Sequence, residues 1–139
     1  MPPEDRAPPV IVAAAIVIED DRVLLTRRPR GTHLADHWEF PGGKLEPGEA
    51  PADALVREMR EETSVEITVD DVVDVTYWRY PGKDVLLIFY RAHRVDSSRP
   101  VANVGIADHV WARADELDGF TFPPADVSVV SKVRRLLRT

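Results

Sequence analysis

The apolar positions of this chain fall into two kinds of run. The segment from Val10 to Glu19 is apolar almost throughout, as expected of a strand covered on both faces. Residues 22–28 form a second β-rich run, and Asp20 and Asp21 stand between the two, which predicts a hairpin with a tight polar turn. Residues 29–37 carry turn residues without a period and read as a loop before a short strand over residues 38–40. Pro41, Gly42, Gly43, Pro47 and Gly48 then predict a second loop free of regular structure.

The period changes at Pro51. Leu55, Val56 and Met59 recur at helical spacing, Pro51 suits the first helical position, and Asp53 lies where the helix dipole favours an anion. A helix is expected over residues 51–63. Strands follow over residues 72–80 and 85–93, with Pro81, Gly82 and Lys83 at the turn, and a short strand over residues 110–112. Val127, Val130, Val133 and Leu137 predict a closing helix over residues 124–137. Residues 1–9 are proline-rich and read as a loose tail. With no repeat or linker, residues 1–139 are expected to form a single domain.

Composition narrows the function. The formal charge of −6 argues against a surface that grips the backbone of a nucleic acid polymer, but leaves room for a small anionic ligand beside local cations. The absence of cysteine removes disulfides, thiolate metal sites and thiol nucleophiles. The longest apolar run is about half of the ~20 residues a spanning helix needs and lacks the flanks of a signal peptide. The expectation is a soluble, cytoplasmic protein with no membrane partner.

The chemistry is concentrated on the first helix. At about 100° per residue, Glu58, Glu61 and Glu62 share one sector and the apolar stripe occupies the next. Like charges so placed cost a few tenths of a kcal/mol per pair, which a hard divalent cation would relieve. Oxygen donors of this kind suit magnesium, which keeps waters and takes its remaining ligands from substrate phosphate. A solvated acidic face balanced by Arg57 and Arg60 is the competing reading.

From Gly43 the chain runs through five residues to Glu49, then seven to Arg57, Glu58, Met59, Arg60, Glu61, Glu62, Thr63, Ser64 and Val65. This resembles the Nudix signature at every fixed position except Ser64, where the family has glycine. The resemblance implies an α/β Nudix fold, an α/β/α sandwich around a mixed β-sheet, and water attack on a nucleoside diphosphate linkage. It implies Glu58 and Glu62 as principal metal ligands, Glu61 as a ligand or the base for water, the Gly42 carbonyl as a further ligand, and Arg57 as the group that orients a neighbouring glutamate. The ion would be Mg2+, with Mn2+ as the alternative.

Further patches resemble the MutT-like branch, which releases pyrophosphate from nucleoside triphosphates and includes enzymes acting on oxidised guanine nucleotides. They are Thr26 to Arg28, His33, Trp38 to Lys44, Tyr80 with Pro81, Trp111, and Phe122 to Asp126. On that likeness Arg28, His33, Phe40, Tyr80, Phe122 and Asp126 bind the base and Lys44 contacts phosphate. Two departures matter. Asp126 stands where the oxidised-guanine enzyme has asparagine, and an ionised carboxylate only accepts hydrogen bonds, so it suits a donor-rich edge. Gly105 stands where the family often has another metal-binding glutamate, with Asp108 the nearest replacement. Hydrolysis of ADP-ribose or a dinucleoside polyphosphate, possible oxidised or methylated substrates, a non-catalytic nucleotide-binding module, and a monomer or homodimer all remain open from sequence.

Overall fold

A computed structural model of the chain describes residues 7–138; most of the tail expected over residues 1–9 lies outside the described residues. β1 (Val10–Glu19) and β2 (Arg22–Arg27) form the expected hairpin. Asp20 and Asp21 turn it with φ of 51° and 60°, the left-handed pair whose twist matches that of the strands.

β1 is the central strand because it changes partners along its length. Its first half pairs antiparallel with β4 (Gly42–Lys44), setting Ala14 opposite Gly42, and its second half pairs with β2. Its other edge runs parallel to β6 (Lys83–Arg94), in register from Val10 opposite Val85 to Val17 opposite Ala92. β5 (Ile67–Tyr80) completes that side as an antiparallel partner of β6, while β3 (Trp38–Glu39) and β7 (Asp108–Ala112) flank β2. The sheet is therefore mixed, as expected.

Alternation along β1 explains why it is apolar on both faces. Ala13, Ala15 and Val17 join Leu55 and Met59 of α1 (Pro51–Thr63) in one core, and Ala14 and Ile16 join Val129 and Val133 of α2 (Val127–Leu137) in another. Two helical layers thus enclose the sheet. Among the described residues no helix is long and apolar enough to cross a membrane.

Three expectations need correction. The segment read as an irregular loop contains β4, because glycine allows the backbone to lie closely along β1: a Cβ on Gly42 would fall 2.0 Å from the Ala13 carbonyl oxygen. β5 begins at Ile67, ahead of the expected strand, since bulges between Val69 and Asp74 break the alternation. The closing helix starts at Val127, preceded by a 3-10 turn over Pro124–Asp126, and a second 3-10 segment over Ala114–Gly119 had no apolar period to reveal it.

The α1 boundaries agree with the sequence reading. Ser64 ends the helix at φ 58°, ψ 27°, with its N–H donating to the Arg60 carbonyl at 3.1 Å. A left-handed cap favours glycine because it has no Cβ to crowd the carbonyl. Ser64→Gly is expected to stabilise the protein by about 0.5–1 kcal/mol, read as a rise in Tm; an unchanged or lower Tm would reject the strain.

Candidate active site

α1 and β4 build the acidic wall of a cavity of about 370 Å³. Glu58 and Glu62 are one helical turn apart and both line it, with Gly42, Gly43 and Lys44 opposite. Gly43 provides the clearance for this approach: a Cβ there would lie 2.4 Å from the Glu58 carboxyl carbon. Glu58 and Glu62 are close enough for the Glu58 charge to act on Glu62. Burial, then the charges of Glu58 and Glu39, push Glu62 up to about 8, and burial also raises Glu58 against the pull of Arg57.

Arg57 is the brace of this wall. Its Nε and Nη2 donate to the two Glu49 oxygens at 2.8 and 2.9 Å, and its Nη2 to the Lys44 carbonyl at 3.1 Å. Its Nη1 reaches Glu58 at 3.1 Å and Glu61 at 3.2 Å. The guanidinium holds the Glu49 carboxyl down at about 2. One side chain thereby ties the loop after β4 to the helix.

The same cavity takes in most of the remaining candidates. Arg28, His33, Tyr80 and Asp126 line the cavity, as does Phe40 through an otherwise buried ring. His33 meets Tyr80 edge to face at 5.1 Å between centroids. Phe122 is not part of the lining; it stacks on Phe40 at 5.8 Å and supports it from behind. Asp126 is 3 % exposed, and burial, then Glu39, push its carboxyl up to about 7 despite Arg28.

Glu61 also stands apart, with its side chain 57 % exposed and outside the cavity lining. Asp108 is outside the cavity lining: it sits in β7 opposite Arg27, where its carboxylate accepts the His109 N–H at 2.8 Å. Gly105 does reach the site, because the 102–105 segment caps the end of α1 and sends the Gly105 N–H to the Glu62 carbonyl at 3.1 Å.

Sequence reasoning passed over Glu39 and Lys83, both of which line the cavity. Glu39 accepts from Arg28 Nη1 with both oxygens, at 3.1 and 3.0 Å. A charged residue between the aromatics Trp38 and Phe40 was the available signal, since a carboxylate among apolar neighbours needs a partner. Nothing comparable distinguished Lys83 from an ordinary turn lysine.

Among the described residues no three His, Cys, Asp or Glu side chains form a metal cage. The Glu58–Glu62 pair nevertheless fits a divalent ion, because a cation relieves the effect of the Glu58 charge on Glu62. A sparse oxygen set beside an open cavity suits an ion that retains water and takes up phosphate oxygens.

The NUDIX domain model matches residues 8–133. The chain is 32 % identical over 118 residues to an 8-oxo-dGTP diphosphatase of Escherichia coli K12, covering 85 % of this chain and 90 % of that protein. It is 34 % identical over 111 residues to a CTP pyrophosphohydrolase of the same strain, covering 80 % and 81 %. The solution structure of the E. coli ORF135 protein superposes with a TM-score of 0.80 at 32 % identity, covering 98 % and 95 % of the two chains. The crystal structure of a MutT protein from Methanosarcina mazei Go1 gives a TM-score of 0.81 at 22 % identity, covering 97 % and 99 %, and shares the fold. With the signature loop and helix in place and the match running almost from end to end, the chain belongs to the Nudix domain family.

Proposed function

We propose that the protein is a nucleoside triphosphate pyrophosphohydrolase, adding one water across the α–β anhydride to give a nucleoside monophosphate and pyrophosphate. The observation that carries this reading is that the Glu58–Glu62 pair lines the same cavity as Arg28, Tyr80 and Asp126. A cavity lined by paired carboxylates together with aromatic and polar groups suits a ligand that carries both phosphates and a base. Relatives named for 8-oxo-dGTP and CTP hydrolysis make oxidised guanine and cytosine nucleotides the first substrates to test.

On this reading Glu58, Glu62 and the Gly42 carbonyl hold a divalent ion, Mg2+ or Mn2+. When bound, that ion supplies charge neutralisation and polarisation of the phosphate chain. Phosphoryl transfer then asks the protein mainly for positioning. Arg57 fixes Glu58 and Glu61, and Lys44 and Lys83 attract the phosphates. Glu61, open to water beside Arg57, takes the proton of the attacking water or completes the ligand set. Tyr80 and His33 flank the base, Phe40 with Phe122 behind it forms its floor, and Arg28 and Asp126 address its edge. Water activation next to a cation uses deprotonated groups, so activity should rise toward alkaline pH. The chain's composition suits a cytoplasmic setting.

A panel of canonical, methylated and oxidised nucleoside triphosphates with Mg2+ should release pyrophosphate from at least one member and stop on adding chelator. Turnover of no triphosphate, or full activity in excess chelator, overturns the reading. Gly43→Ala should lower kcat/KM by roughly 100-fold, a few kcal/mol in the barrier, because its methyl group occupies the place of the Glu58 carboxyl. Wild-type kinetics in this variant would remove Glu58 from the machinery.

A further inference from the structure

β5 ends the sheet on its side: β6 pairs with one edge, and among the described residues no strand lies beside the other. Such an edge offers a row of backbone donors and acceptors to any extended chain that fits it, and proteins usually blunt it with bulges and charges. Here only half of the strand is blunted. Its first part carries the register shifts between Val69 and Asp74, together with the charges of Asp70 and Asp71. From Asp74 to Tyr80 the pairing with β6 runs residue for residue without a break.

The side chains along this edge form an ordered pattern. Val72, Val75 and Tyr77 pair with Tyr90, Ile88 and Leu86, so they share one face of the sheet, and there they are 52, 54 and 47 % exposed. The Tyr77 hydroxyl donates to Asp84 at 2.8 Å, which fixes the ring, and the Arg79 guanidinium lies 5.8 Å from the ring centre. An apolar middle is thus flanked by two acids at one end of the strand and a cation at the other. We infer that β5 pairs antiparallel with β5 of a second copy of this chain, about a two-fold axis at Val75, so that one sheet runs through a homodimer.

The order of charges selects a second copy as the partner. Antiparallel pairing reverses one strand against the other, so the Arg79 end of each strand meets the Asp70–Asp71 end of its mate. Within the chain, among the described residues, neither Asp71 nor Arg79 forms an ion pair. Centring on Val75 sets the two Val75 side chains against each other and brings Tyr77 to the partner's Val72, an aromatic against a β-branched residue. A register centred on Tyr77 would instead set Arg79 against the apolar Val75. The two-fold contact is closed, so assembly stops at two subunits.

Sedimentation of the full chain tests this. One strand pair is a small interface, so the protein should be monomeric at about 1 µM and mostly dimeric at about 300 µM. Arg79→Asp and Asp71→Arg should each weaken self-association at least about tenfold by setting like charges opposite, while an equimolar mixture of the two should dimerise like wild type, because opposite charges then meet at both ends. The chain has no cysteine, and residues facing each other across an antiparallel pair lie within disulfide range. Val75→Cys, a small change at an exposed position, should therefore cross-link under mild oxidation at least about tenfold faster than Val95→Cys, which is 66 % exposed but far along the sheet from the axis. A wild-type chain that stays monomeric, a dimer indifferent to both charge reversals, a mixture that fails to associate, or equal cross-linking at the two cysteines overturns the inference. If either charge variant fails to fold, the two cysteine variants decide.

Discussion

Glu62→Gln lowers kcat by at least about a thousandfold, roughly 4 kcal/mol of barrier, while the fold survives. The substitution keeps the size of the side chain but removes a carboxyl that can ionise to hold a cation. Because burial and the charges of Glu58 and Glu39 push Glu62 up to about 8, glutamine also avoids the cost of ionising this group in alkaline solution. The Tm in chelator should therefore hold or rise. The two measurements separate a functional from a structural role: a residue retained for packing would lose stability and activity together. Activity within a fewfold of wild type sinks the assignment of Glu62. Metal titration followed by calorimetry should show weakened binding in the same variant, since one of the two cavity-lining carboxylates of α1 is lost.

Asp126→Asn raises stability at alkaline pH. The carboxyl has an ordinary value of 3.8 and is pushed up to about 7 in the folded protein, by burial first and by Glu39 second. Below about pH 4 both folded and unfolded chains carry the proton, and the group makes no difference. Between about 4 and 7 the folded chain keeps a proton that the unfolded chain has lost, so stability falls as pH rises; above about 7 the full cost is present. A shift of about three units amounts to roughly 4 kcal/mol at most, and relaxation reduces it to about 2–4 kcal/mol. Asparagine never carries the charge and avoids this loss. At about pH 9 the variant should melt roughly 5–15 °C above wild type, and the difference should vanish near pH 4. Equal Tm values at both pH values would show that Asp126 is solvated in the native state. A higher Tm for the variant at alkaline pH would instead show that wild type tolerates a costly group for the sake of what it does to a base.

Much of this was legible in the chain. The α1 boundaries could be read because proline at the start, the acidic first turn and the apolar stripe all act within a few residues of one another. The β1–β2 hairpin was equally local, set by Asp20 and Asp21. Glu58, Glu61 and Glu62 stood out for the same reason, since helical spacing alone brings them to one sector. β4 was not legible: its pairing with β1 is decided by what lies about thirty residues earlier in the chain, and glycines between prolines look like loop until a neighbouring backbone occupies the space where side chains would be. The extent of β5 was hidden similarly, by bulges that leave Asp70 and Asp71 on an edge.

The fold family and the acidic motif could be read along the chain, because both are carried by residue types at fixed short spacings, where covalent geometry sets the arrangement. Tertiary structure decided which charges share an environment. It placed Glu58 and Glu62 in the cavity and left Glu61 in water, kept Asp108 away in β7, and brought Arg28, Glu39 and Asp126 together from three distant segments. Burial and the field of neighbouring charges have no counterpart in local spacing, and these are what turn Asp126 from an ordinary acid into one that holds its proton near neutrality.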